Sequence, residues 1–177
     1  MINEESLIYN QIMAYSVDEA IWNISYINNA IFNTPLKKDT RSKVLSLNDS
    51  MIAIFSEAFP GNNKLNELGI RVLMDSRYFV ELVEGNDSRR TAAEIKKDWK
   101  ENNSNAAKIL NELNPYWKYL EFNGMLDQRT DILSLLTSYL KNSYYDLYTE
   151  LVPIYRRVTL DISNYLIKGI LIVDEQQ

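Results

Sequence analysis

The side chains of this sequence best placed to do chemistry are Trp99, Asn102, Tyr116, Trp117, Arg129 and Asp161, polar or aromatic residues set into apolar helical patterns. Asn102 falls on a seam otherwise built from Ala92, Ile95, Trp99, Ala106, Ile109 and Leu113. A buried amide is costly without partners, so Asn102 should hydrogen-bond to a facing helix. It can set the helix register or contact a ligand at the centre of a bundle. Together with Trp99, Tyr116 and Trp117 it could wall a pocket for a flat or apolar molecule. Aromatics at helical spacing are equally the ordinary material of a bundle core. Arg129 stands just before a helix cap expected at Thr130, where an arginine is ordinarily exposed. Were it buried opposite Asp161, the two charges would satisfy each other.

The 177 residues include neither histidine nor cysteine, which removes the commonest general base, the commonest transition-metal ligands and the thiol nucleophile. A di-iron bundle needs a Glu-x-x-His pair on each of two helices and cannot be built here. A hard cation could use carboxylates alone, for instance Asp18, Glu19, Asp75, Glu81 or Asp161, but these acids are scattered singly, as on solvated helix faces. A serine or threonine nucleophile would need a lysine or carboxylate base shifted by burial. No G-x-x-x-x-G-K-[ST] or G-x-G-x-x-G loop is available to cradle phosphate. No catalytic, metal or cofactor residue is therefore assigned. The expectation is a non-enzymatic binding or interaction protein whose partner is another protein or a small apolar or aromatic ligand. The alternatives are a carrier with a pocket in the bundle core and a degenerate, carboxylate-only metal bundle.

Composition points to helices. The hydrophobic and charged fractions, 46% and 24%, are those of a globular chain. Five glycines and four prolines are too few for the tight turns of a sheet protein. The sequence predicts an all-α, single-domain, mostly antiparallel bundle of four long helices plus one or two short or broken segments. A net charge of −5 disfavours nucleic acid. No apolar run approaches the ~20 residues of a membrane span and no basic start precedes an apolar segment, so a cytoplasmic location is expected.

Helix one is predicted over about Glu4 to Asn33, with Met13, Val17, Ala20, Ile24, Ile27 and Ile31 on one face, and it ends at Thr34-Pro35. Tyr15, Ile21 and Trp22 widen that stripe. Apolar residues on two sides of helix one and of the last helix leave room for a homodimer. A second helix should run from Asp39 or Thr40 to Ala58, and a third from Lys64 to Glu84, stopping at Gly85-Asn86. Asp87 or Ser88 can cap the fourth. Asn114-Pro115 ends it, a short helix follows over about Lys118 to Gln128, and Thr130 opens a long last helix. Its stripe reads Leu133, Leu136, Leu140, Tyr144, Leu147, Leu151, Ile154, Val158, Asp161 and Tyr165, with a kink or restart near Leu151 to Pro153 and a frayed tail from about Asp174.

Trp99-x-x-Asn102, Ala106-Ala107, Ile109-Leu110, Leu113, Asn114-Pro115-Tyr116-Trp117 and Met125-Leu126 together resemble a family of small helical proteins from spore-forming Gram-positive bacteria. Its members often carry the label acetylglutamate kinase. The likeness extends more weakly from helix one to Asn164-Tyr165-Leu166-x-x-Gly169-Ile170. Amino-acid kinases are larger α/β proteins with glycine-rich phosphate loops, so the label implies nothing for this chain. The resemblance implies histidines on several helices of the relatives, at the positions of Ile12, Val72, Arg129 and the Arg156 to Val158 region here. With none of these a histidine, it implies an altered centre, expected to be filled by apolar side chains.

Overall fold

The computed structural model describes residues 4–85 and 89–174. Six helices account for most of them: α1 (Glu4–Ile31), α2 (Lys37–Ala58), α3 (Lys64–Glu84), α4 (Ala92–Leu113), α5 (Tyr119–Lys141) and α6 (Tyr145–Asp174). There is no strand among the described residues. Each helix packs on the next in the chain and α6 returns against α1, so the six close a ring. α1, α3 and α5 also meet one another across the middle. Anything polar on the inner faces of those three helices therefore shares one space. Among the described residues, no helix is long and apolar enough to cross a membrane.

α4 follows the seam in its sequence, burying Ile95, Trp99, Asn102, Ala106 and Ile109 together with Asn103, Ala107 and Leu110. Its N-terminus is closed by Thr91, whose hydroxyl accepts from the Glu94 amide while the Glu94 carboxylate accepts from the Thr91 amide. Asp87 and Ser88, expected as caps, lie outside the described residues. The Thr91 backbone hydrogen bond holds the Glu94 carboxyl below its ordinary pKa, reinforced by the Thr91 hydroxyl. Substitution Thr91→Ala should cost about 1 kcal/mol in urea unfolding, since two amides of the first turn lose their reciprocal partners.

The second half departs from expectation. No helix ends near Gln128: α5 runs through to Lys141, and Thr130, expected as a cap, is buried inside it. The break comes instead at residues 142–144, where Ser143 takes a left-handed φ of 62°. A serine is not a residue that announces such a conformation. The described residues thus form six helices of 21 to 30 residues instead of four long ones with short segments. α6 contains Pro153 without a restart, and Pro153 itself is exposed. Because the break resets the helical phase, the stripe read across it holds only in part: Leu133, Leu136, Leu140, Val158 and Tyr165 are buried as expected. Tyr144, Leu147 and Ile154 are exposed, while Tyr155, Val158, Thr159, Ile162, Ser163 and Leu166 face inward. Asp161 is consequently on the outside.

α1 is rotated as well. Val17 and Ile21 are exposed, and the inner face carries Ile8, Ile12, Ser16, Glu19, Ala20, Asn23 and Ile27. Three of those residues are polar, and each has an inner partner. Ser16 shares a short hydrogen bond with Ser163, Asn23 donates to the Tyr155 hydroxyl at 2.7 Å, and Glu19 accepts from Arg129. Apolar periodicity cannot register a face built this way.

Candidate functional site

Where α1, α3 and α5 meet, a guanidinium lies between two carboxylates. Arg129 of α5, only 7% exposed, donates to Glu19 Oε1 of α1 at 2.6 Å and to Asp75 Oδ1 of α3 at 2.5 Å. Glu19 is 6% exposed, so the first of these pairs is fully enclosed. Asp75 Oδ1 accepts a second bond, from Trp99 Nε1 of α4 at 2.5 Å, which ties the fourth helix to the same cluster. Charges buried this deeply are tolerated only when paired and hydrogen-bonded, as these are.

Burial pushes the Glu19 carboxyl above its ordinary pKa, and the neighbouring Arg129 charge opposes the rise. Burial also works against the Arg129 charge, but Asp75 and Glu19 outweigh it and hold the guanidinium protonated. Tyr15 and Tyr155 stand beside the group, and burial first, with the Glu19 charge second, raises both phenols well beyond the range in which they could ionise near neutrality. The cluster thus joins a protonated guanidinium to two carboxylates beside neutral phenolic hydroxyls.

A cavity of about 80 Å³ adjoins the cluster. Its polar wall includes Tyr15, Glu19, Asn48, Arg71, Asp75, Asn102 and Arg129, and its apolar wall includes Leu68, Phe122, Leu126, Ile162 and Leu166. The Asn102 amide donates to the Arg71 carbonyl of α3 at 2.9 Å, a bond between facing helices. Asn48 Oδ1 accepts from the Ser76 hydroxyl at 2.8 Å. Among the described residues, four buried polar atoms of the cavity residues have no hydrogen-bond partner: Asn48 Nδ2, Arg71 Nε, Asn102 Oδ1 and Arg129 Nε. Such atoms are uncommon in folded proteins and costly.

Of the six side chains singled out from the sequence, the structure brings Asn102 and Arg129 to this cavity, and Trp99 braces it through Asp75. Arg129 is a buried member of α5 and not an exposed junction residue, and its partners are Glu19 and Asp75. Asp161 takes no part. Tyr116 and Trp117 lie elsewhere, in a corner docked on α6. Asn114 there donates to the Gly169 carbonyl at 2.6 Å, and Trp117 Nε1 donates to the Tyr165 carbonyl at 3.1 Å. The Tyr165 hydroxyl in turn accepts from the Lys118 amide at 3.0 Å and donates to the Tyr116 carbonyl at 3.1 Å. Trp117 is wholly buried against Phe55 and Phe59. The N-P-Y-W run and the Asn164 to Gly169 stretch, far apart in sequence, are therefore two halves of one packing unit.

The expected apolar centre is also corrected, since charged and amide groups meet there. Glu19 and Asp75, suggested as hard-cation ligands, do converge, but on a guanidinium. Among the described residues, no group of three or more His, Cys, Asp or Glu side chains is arranged to hold a metal ion. Tyr15, Asn48 and Arg71 were not legible as site residues, because each sits within an ordinary amphipathic helix. No protein-family model matches the chain, and neither does any curated protein or solved structure.

Proposed function

We propose that the chain is a small-molecule-binding bundle, its helices alternating up and down around a central chamber, and that it binds without chemical turnover. One observation carries this: a cavity beside the Arg129 cluster has charged and amide residues in its wall, among them Glu19, Asn48, Arg71, Asp75, Asn102 and Arg129. A protein that needed only a stable core would do better with apolar packing there. Binding without turnover fits the cluster, whose carboxylates are both engaged by a cation that keeps its proton. Of the positions where the family resemblance implies histidines, Val72 and Arg129 line the cavity and Ile12 is buried on α1. On this proposal the chamber is kept while its chemistry differs.

Native mass spectrometry of the gently purified protein, with and without added small polar probes, tests the proposal together with a blocking variant. Ala106 lines the cavity, and Ala106→Leu adds three carbons to it. The variant should gain up to about 2 kcal/mol from the added burial, at ~0.8 kcal/mol per methylene, and should retain no bound probe. Probe binding that survives the substitution unchanged would remove the cavity from consideration.

A further inference from the structure

The outer face of α3 carries a second apolar seam. The helix turns Leu68, Val72 and Asp75 to the cavity and sends Asn66, Ile70, Leu73 and Arg77 the other way. These four recur at spacings of four, three and four, the repeat by which one helix packs along another. All four are exposed, Ile70 by 57% and Leu73 by 36%. Beside the seam, between α2 and α3, runs a groove of about 460 Å³. Ala53, Ser56 and Gly69 line it with small side chains, which lets another backbone come close.

Opposite charges bracket the two apolar residues. Glu67 stands at the N-terminal end of the seam and Arg77 at the C-terminal end, both exposed, and neither forms an ion pair among the described residues. The charged groups near them are engaged elsewhere: Lys64 with Glu112, Glu81 with Arg90 and Glu84 with Arg41. Such a face is complementary to itself when turned end for end. With two copies of α3 antiparallel about a two-fold axis between Arg71 and Val72, Ile70 of each copy meets Leu73 of the other, and Arg77 of each reaches Asn66 and Glu67 of the other. A parallel pairing would set like charges on each other. The other exposed apolar residues lack this arrangement. α1 exposes Val17 and Ile21 but contains no lysine or arginine, and on α6 the exposed Glu150 stands between Leu147 and Ile154.

We propose that the chain forms an isologous homodimer through the outer face of α3, with Ile70 and Leu73 of each copy packed against those of the other and two Glu67–Arg77 pairs closing the ends. The pairing does not depend on what the cavity binds. Exposed ion pairs add little affinity individually and act chiefly on orientation and register. The dimer therefore dissociates on dilution, and its hold weakens as salt rises.

Sedimentation equilibrium of the intact chain, from micromolar to millimolar concentration, tests the proposal, with circular dichroism to check that each variant folds. The parent should pass from monomer to dimer, and Ile70→Asp should stay monomeric throughout. Arg77→Glu and Glu67→Arg should each weaken self-association about fivefold or more, since every attractive pair becomes a repulsive one. An equimolar mixture of those two variants should associate at least as tightly as the parent, because one face then carries two acids and the other two bases. Should Ile70→Asp not fold, the mixture decides. A parent that is monomeric at millimolar concentration would overturn the α3 dimer. So would a dimer that a folded Ile70→Asp leaves intact, or charge-reversed variants whose mixture associates no better than either alone.

Discussion

Substitution Arg129→Met should cost about 3–5 kcal/mol of folding stability at neutral pH, the largest single effect available in the core. The replacement keeps much of the side chain's length and removes the charge together with its hydrogen-bond donors. It leaves Glu19 buried without its cation and Asp75 with Trp99 as its remaining bond. The loss should shrink in acid, and the sign follows from Glu19. Burial already raises its folded pKa against the opposing effect of Arg129, and removing Arg129 lets it rise further. A carboxyl with a raised folded pKa contributes stability below its unfolded pKa, about 4.3, and loses that contribution as pH rises through the folded value. Urea unfolding of both proteins from pH 5 to pH 8 should therefore show a gap that widens with pH. A gap that narrowed with pH, or a variant as stable as the parent throughout, would mean Glu19 is not held in the core by Arg129.

The second large effect is expected at Gly169→Ala. A Cβ at this position would lie 2.0 Å from Trp117 Nε1 and 2.3 Å from Trp117 Cε2, inside any tolerable contact. Trp117 cannot step aside easily, since Phe55 and Phe59 meet its ring edge-on with centroids 5.9 and 5.7 Å away. Alanine improves helix propensity by up to ~1 kcal/mol, which opposes the clash. Overpacking at ~1–3 kcal/mol and a disrupted Trp117–Tyr165 hydrogen bond at ~1–3 kcal/mol outweigh it, for a net loss of about 3 kcal/mol. Gly124→Ala supplies the control. Gly124 is an exposed residue of α5 with open space around its Cβ position, and the same change there should stabilise by about 0.5–1 kcal/mol. If the two variants behaved alike, the N-P-Y-W corner would not be docked on α6 at Gly169.

The helical class, the extents of α2 and α3 and the C-terminal end of α4 were legible in the sequence, because those helices carry apolar residues at three- and four-residue spacings beside strong breaks such as Pro60-Gly61 and Asn114-Pro115; the cap of α4, expected at Asp87 or Ser88, is Thr91. The α5–α6 junction was not, since Asn142-Ser143 is a weak signal and Thr130 mimics a cap. That one error displaced the face of the last helix and placed Asp161 inside. The site was legible only in fragments. Asn102 stood out as an amide on an apolar seam, whereas Glu19 on α1 looked like a solvated acid. Its partner, 110 residues away in the chain, supplies what makes its burial tolerable, and nothing local to Glu19 encodes that partner. Arg129 suffered the same ambiguity, since an arginine beside a cap-like threonine reads as surface until α1 and α3 are brought against it.

The central cavity as a binding site is tested most directly by a high-resolution crystal structure of the intact chain equilibrated with a mixture of acetamide, acetate and ethylammonium. The expected result is continuous density for one small molecule in the space bounded by Asn48, Arg71, Asn102 and Arg129. Side chains closed over that space, or ordered water alone within it, would contradict a ligand-binding role for this bundle.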